Sequence, residues 1–188
     1  STADIDYDNT AKQIILVGVA LGMMMLHSQH AIHRDLKSDN VLLDSQFRPK
    51  ITDFGLSKFY NPDNSKFQSY ASLGTAAYMA PEVIQSNRYN TKADVYSFGI
   101  MLYEIITGTR AYNTFLYVKR KSVFNLNCKV IHGYRPTIPK GTDEKMVKLM
   151  KMCWNKNPSK RPTFSELFQK LSFSHNYDFF LNEANSAQ

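Results

Sequence analysis

From Ile14 to Leu26 the chain is apolar on almost every position, with no polar face at helical spacing, the pattern of a helix buried on all sides. Just ahead of it, Thr10-x-x-Gln13 has the form of a capping box, so the pattern predicts a helix that starts near Thr10. Two short stretches, Val41-Leu42-Leu43 and Lys50-Ile51-Thr52, then flank the turn-prone run from Asp44 to Pro49 and predict a small β-hairpin. Tyr60 to Ser72 is polar, rich in Asn and Ser and aperiodic, and reads as a mobile loop carrying several hydroxyls. Helical periodicity returns from Thr91 to Thr107, with Val95, Phe98, Leu102, Ile105 and Ile106 on the apolar side, Thr91 as cap and Gly108 as stop. Arg110 to Lys140 is a looser stretch. An amphipathic helix from about Asp143 to Trp154 and a short last helix capped by Thr163-x-x-Glu166 complete a chain that is mainly α, with no internal repeat.

Composition narrows this picture. A length of 188 residues with 43% hydrophobic content suits one domain with a real core. The two cysteines, Cys128 and Cys153, are far apart and lack metal-ligand spacing, which argues against a disulfide framework and a zinc site and points to a reducing, cytoplasmic setting. The formal charge of +7 is spread along the chain, and only Lys119-Arg120-Lys121 is a tight cluster, so a solvated surface is expected and no nucleic-acid partner. The apolar run of Ile14 to Leu26 is shorter than the roughly 20 residues of a membrane span, and no membrane segment is expected. Its Gly18-x-x-x-Gly22 pattern reads as close packing of a buried helix.

Candidate chemistry lies in four motifs that occur in one order. They are His33-Arg34-Asp35-Leu36-Lys37-Ser38-Asp39-Asn40, Asp53-Phe54-Gly55, Ala80-Pro81-Glu82, and Arg161 in a Pro-rich context. Taken singly, an Asp-Phe-Gly or a loop Asn is most often a turn element, and it is the ordered combination that carries information. His27, His30 and His33 fall three apart, but His33 belongs to the first motif, and metal ligation by the three is disfavoured.

On these motifs, residues 10–171 resemble the C-terminal (large) lobe of eukaryotic-type protein kinases. The resemblance implies a protein-kinase-like fold acting on ATP, Mg²⁺ and protein substrates. A γ-phosphoryl group in transfer carries charge on its oxygens, so metal ions must be held against it and a hydroxyl oriented towards it. By the resemblance, Asp35 would accept the proton of the substrate hydroxyl. Asn40 and Asp53 would bind Mg²⁺ as hard oxygen ligands, with Gly55 allowing the turn that aims Asp53. Lys37 would neutralise charge on the γ-phosphate, and Val41 and Leu42 would floor the adenine site. His33 should pack beneath Phe54. Arg34 and Lys58 should form a cationic pocket for a phosphate on the loop, with Ser65, Ser69, Tyr70 and Ser72 as candidate acceptors. Glu82 and Arg161 look like a buried structural ion pair, and Asp94 like an aspartate that hydrogen-bonds the His-Arg-Asp turn.

Lys37 and Gly74-Thr75-Ala76-Ala77-Tyr78 resemble the serine/threonine-specific pattern, in which Thr75 bridges Asp35 and Lys37. Asp94 to Gly99 and Cys153-Trp154 with Asn157 to Phe164 look more like the tyrosine-kinase-like group, so tyrosine or dual specificity stays open. No Gly-x-Gly-x-x-Gly occurs and no Val-Ala-Ile-Lys strand precedes Thr10, so the small lobe is absent from this chain. Residues 1–9 are expected to continue from such a lobe upstream, and 172–188 to form a polar, disordered tail. Alone, the chain is expected to be inactive and to expose an apolar patch around Leu26, Leu42 and Phe54 that favours self-association. The alternative from another class is a non-catalytic kinase-like binding module.

Overall fold

The computed structural model describes residues 8–60, 67–68, 75–119 and 121–172. The expected N-terminal segment through residue 7, the candidate acceptors Ser65, Ser69, Tyr70 and Ser72, and the tail beyond Ser172 lie outside them. Six α-helices carry the described chain, α1 (Asn9–Ser28), α2 (Pro81–Ser86), α3 (Thr91–Thr107), α4 (Val123–Ile131), α5 (Glu144–Cys153) and α6 (Phe164–Ser172). The strands are two or three residues long and pair antiparallel in twos. β1 (Ala31–Ile32) pairs with β4 (Lys58–Phe59), β2 (Val41–Leu43) with β3 (Pro49–Ile51), and β5 (Phe67–Gln68) with β6 (Arg88–Tyr89). This is the mainly helical architecture with one hairpin that the hydrophobic pattern predicts. Two of the strand pairs are additions to it, and β5 lies inside the stretch expected to be loop.

The helix α1 begins directly after Asp8, whose carboxylate accepts a hydrogen bond from the Ala11 N–H at 2.6 Å. The Thr10-x-x-Gln13 capping box is therefore not the cap. Gln13 instead donates its side-chain N–H to the Leu171 carbonyl at 2.6 Å, tying α1 to the end of α6. The other capping box does form, with the Glu166 N–H donating to the Thr163 hydroxyl and the Thr163 N–H donating to the Glu166 carboxylate.

At 20 residues α1 is long and apolar enough, by length and composition, to cross a membrane, so the length argument from the shorter apolar run does not decide. Its packing does. Val17, Val19, Ala20 and Met23 are fully buried within the core that α1 shares with α3 and α6. The glycine stripe marks where β3 crosses α1. A Cβ on Gly18 would sit 2.5 Å from Pro49 Cγ, and one on Gly22 would sit 3.0 Å from Ile51 Cδ1.

The helix α3 is the second core element. Asn90, not Thr91, caps it by accepting from the Lys92 N–H at 2.9 Å, and Gly108 ends it in the left-handed region at φ 65°. Ala93 to Glu104 are all buried, so α3 is enclosed on every side where the periodicity suggested one apolar face. A Cβ on Gly99 would lie 2.7 Å from Cys153 Cβ, which shows how closely α5 is seated against it. Within the looser stretch after Arg110, α4 forms behind a Ser122 cap and buries only Leu126 and Val130. Two anchoring positions in nine residues are too few to have registered as a period.

The segment from α2 is fastened to this core by one ion pair. Arg161, 2% exposed, makes a bidentate contact with Glu82 at 2.6 and 2.8 Å and also donates to the carbonyls of Lys92 and Asn155.

The Gly18 crossing yields a direct test. Gly18→Ala forces a methyl group into a rigid proline ring, and a loss of about 1–3 kcal/mol is expected. Urea unfolding measures it, and a midpoint equal to that of the parent chain would mean that the hairpin is not seated on α1 as described.

Candidate active site

The turn from His33 to Asp35 is built from below by Asp94 on α3. That buried carboxylate accepts from the His33 N–H and the Arg34 N–H, both at 2.9 Å, and lies 2.8 Å from His27 Nε2. Arg34 is thereby held at φ 73°, a strained conformation for a non-glycine residue and one that the two backbone hydrogen bonds sustain. From this turn the next residues run as an extended link into a short 3₁₀ turn, Ser38–Asn40.

Asp35 sits at the centre of a hydrogen-bonded cluster. Its Oδ1 accepts from the Thr75 N–H at 2.9 Å and the Thr75 hydroxyl at 3.0 Å, and its Oδ2 accepts from Lys37 Nζ at 2.8 Å and Asn40 Nδ2 at 3.2 Å. Lys37 also donates to Thr75 Oγ1 at 2.9 Å, closing a triangle of Asp35, Lys37 and Thr75. Burial pushes the Asp35 carboxyl upward, but the hydrogen bonds from Lys37 and the Thr75 N–H, with the charge of Lys37, outweigh it and hold the group below its ordinary 3.8. An ionised carboxylate in this position is equipped to accept a proton.

Asn40 donates from its side-chain nitrogen to Asp35 twice, the second time to the backbone carbonyl at 2.8 Å, and its side-chain oxygen, an acceptor, takes no part in either bond. Thr52 donates from its N–H and its hydroxyl to the Asn40 carbonyl, at 2.9 and 3.1 Å. That pair of bonds fixes Thr52, the residue before Asp53, to the backbone of Asn40. Asp53 is exposed and takes the left-handed conformation itself, at φ 60° and ψ 63°. This corrects the role expected of Gly55. The backbone turn that aims Asp53 is made at Asp53, and Gly55 lies within the following 3₁₀ turn with no positive φ. A carboxylate and an amide oxygen are hard donors, and two protein ligands with the rest left to phosphate and water suit Mg²⁺. Among the described residues, no group of three His, Cys, Asp or Glu could hold a metal, the three histidines included.

The remaining expected residues fall around this cluster. The His33 ring lies 5.1 Å from the Phe54 ring, and its Nε2 contacts the Thr52 carbonyl at 3.1 Å. Leu42 is 58% and Phe54 49% exposed, whereas Leu26 packs partly buried against the core, so the expected apolar patch lacks Leu26 and Met25, at 61%, is the exposed residue of that turn. Lys58 lies on β4 opposite Ile32, and the Arg34 guanidinium stacks 4.4 Å over the Tyr89 ring.

A family-model comparison matches residues 5–171 to protein tyrosine and serine/threonine kinases. The chain belongs to this kinase family. It is 37% identical over 171 residues to a probable serine/threonine-protein kinase of Dictyostelium discoideum, covering 89% of this chain and 12% of that protein. It is 43% identical over 154 residues to the dual specificity protein kinase shkD of the same organism, covering 81% of this chain and 20% of the relative. It is 39% identical over 157 residues to the serine/threonine/tyrosine-protein kinase HT1 of Arabidopsis thaliana, covering 84% of this chain and 38% of the relative. The kinase chain thus spans well under half the length of these curated relatives.

One part of the kinase site is absent from the motif reading. Glu104, 8% exposed near the end of α3, accepts from the Ser38 hydroxyl at 2.6 Å, from the Tyr78 hydroxyl, and through Oε1 from the Ala111 N–H at 2.9 Å. Its signal in the sequence was a lone carboxylate within the apolar run of α3. Beside it, Arg110 makes a bidentate contact with Asp39 at 2.7 and 3.0 Å.

Because the folded Asp35 carboxyl lies below its ordinary value, the contacts that depress it add stability that is present above the unfolded-state pKa and is lost as pH falls through the folded one. Lys37→Met should raise the Asp35 pKa and move this acid loss to higher pH. Carboxyl-carbon NMR titration reads the midpoint directly, and an unchanged midpoint would assign the depression to Thr75 alone.

Proposed function

We propose that this chain is the large-lobe half of a protein kinase that transfers the γ-phosphoryl group of ATP to serine or threonine hydroxyls of proteins. The observation that carries the reading is the closed triangle of Asp35, Lys37 and Thr75, with Thr52, the residue before Asp53, fixed to the backbone of Asn40. When bound, Mg-ATP supplies the phosphoryl group and the counter-charge of the metal. Asp35 accepts a hydrogen bond from the substrate hydroxyl and takes its proton as the oxygen attacks the γ-phosphorus, while the bond from that phosphorus to the bridging oxygen breaks and ADP leaves. Lys37, held between Asp35 and Thr75, presents its ammonium to the negative charge that develops on the transferred group. Asn40 and Asp53 offer oxygen ligands to Mg²⁺, and exposed Leu42 offers an apolar contact for the base. Thr75 holds both Asp35 and Lys37 and so fixes the separation of base and cation.

Serine/threonine specificity is supported by the Thr75 bridge and by the serine/threonine-protein kinase name of the first relative. Dual specificity is the second reading, favoured by the names of two relatives at 43% and 39% identity. The catalytic reading stands above a binding-module reading because Asp35, Asn40 and Asp53 are all present, and a pure scaffold has no need of the three together. Phosphate-covering glycines and the strand lysine must come from outside these residues, so the chain by itself is taken to be inactive. Two free cysteines, one of them exposed, support a reducing, cytoplasmic setting.

Full-length protein with labelled Mg-ATP and a peptide library should transfer phosphate to serine and threonine, and Asp35→Asn should slow transfer by about 10²–10⁴-fold. Wild-type protein no more active than Asp35→Asn would sink the catalytic reading, and phosphotyrosine in the products would select dual specificity. Exposed Leu42 and Phe54 further support self-association of residues 1–188 alone. Light scattering should show mass above that of a monomer, reduced by Leu42→Ser, and a monodisperse monomer at high concentration would refute it.

A further inference from the structure

Arg110 stands in an unusual position for a surface arginine. Its side chain is 49% exposed, yet both terminal nitrogens are committed to Asp39, whose side chain is 54% exposed, at 2.7 and 3.0 Å. One of those nitrogens also reaches the Tyr78 hydroxyl at 3.4 Å and lies 3.8 Å from Glu104 Oε2. A pair this exposed contributes little to stability, so its consequence lies in the charge it leaves at this place.

The place is the rim of the reacting centre. Asp39 is the residue before Asn40, whose amide touches Asp35, and Ser38 on its other side is fixed to Glu104. Tyr78 lies three residues beyond Thr75, which touches Asp35 from the opposite side. A peptide whose hydroxyl reaches Asp35 must lay neighbouring residues along one of these two segments, and extended chain advances only about 3.3–3.6 Å per residue. The exposed Asp39 carboxylate would therefore meet a substrate side chain close to the acceptor hydroxyl, with the charge of buried Glu104, held by Ser38, Tyr78 and the Ala111 N–H, behind it. The seated guanidinium shows that Asp39 accepts a planar cation in bidentate geometry, with Glu104 Oε2 3.8 Å from one of its nitrogens.

We propose that Arg110 is a specificity-determining residue, which fills the Asp39–Glu104 acidic site from within the chain and so denies it to a basic side chain of the substrate. The wild-type protein then discriminates against Arg or Lys at one fixed peptide position near the hydroxyl and tolerates neutral or acidic residues there. Removing the guanidinium opens a site that recognises a basic residue. The inference rests on the peptide-phosphorylating reading, because it needs a peptide across this rim. It concerns which peptides are held, and not whether phosphate is transferred.

The test compares wild type, Arg110→Ala and the double variant Arg110→Ala/Asp39→Asn as full-length protein. Positional peptide libraries are read both by fluorescence anisotropy for binding and by phosphate transfer. Arg110→Ala should bind peptides with Arg at one position about tenfold or more tightly than wild type does, as a fall in KM with kcat held, and added salt should shrink the gain. The double variant should lose that preference. An unchanged positional profile in Arg110→Ala overturns the proposal, as does an equal fall in kcat for every peptide, which would make Arg110 a positioning residue of the loop. Wild-type protein that transfers no phosphate fails the catalytic reading alone, since the anisotropy arm still reports whether the basic preference appears.

Discussion

The buried carboxylate of Asp94 is the contact on which the arrangement of the candidate site residues depends. It is 1% exposed, and its two oxygens receive the N–H groups of His33 and Arg34 and face the His27 ring. Without it, two buried backbone donors and a residue at positive φ would lack the partner that sustains them, and the turn would relax towards an unstrained conformation. Asp35 follows directly, so a relaxation there moves the carboxylate away from Thr75 and Lys37. The pull of Asp94 is strong because it acts inside a helix enclosed on every side, where water cannot compete for the same donors.

The same helix holds the other end of the loop. Ten residues after Asp94, or roughly 15 Å along the axis at 1.5 Å per residue, Glu104 takes the Ser38 hydroxyl and the Tyr78 hydroxyl. One rigid element with two buried acids therefore spans the segment from His33 to Ser38 and sets its length. The segment bearing Thr75 and Tyr78 is brought to that element, and Arg161 with Glu82 secures its continuation into α2. The geometry of the candidate site is thus referred to α3 from both flanks, which keeps several loop residues in fixed relation.

Much of this was legible in the sequence, and the failures have physical causes. Helices α1, α3 and α5 and the β2–β3 hairpin are readable because each carries an apolar period or a pair of strands around a turn, and α6 because Thr163-x-x-Glu166 marks its start. The motif residues were readable by identity and order. The caps at Thr10 and Thr91 were misplaced because a better acceptor, Asp8 or Asn90, stood nearby in extended conformation, a distinction that composition does not contain. The turn at Asp53 was assigned to Gly55 because glycine is the usual occupant of strained backbone, whereas here the aspartate adopts it. α4 was hidden because only Leu126 and Val130 anchor it. Glu104 and Arg110 escaped because their meaning is a meeting of residues 38, 39, 78, 104 and 110, which are far apart in sequence.

The crossing of β3 over Gly18 links parts of the molecule that share no chemistry. Pro49 rests on α1, Ile51 of the same strand pairs with Val41, and Thr52 at its end grips the carbonyl of Asn40 and precedes Asp53. The two side chains offered to a metal are thus carried on a lever whose fulcrum is a glycine on the core helix. The other end of that helix is tied through Gln13 to the last turn of α6. The last turn of α6, through Gln13, and the strand that leads into Asp53, through Gly18, therefore bear on one and the same helix.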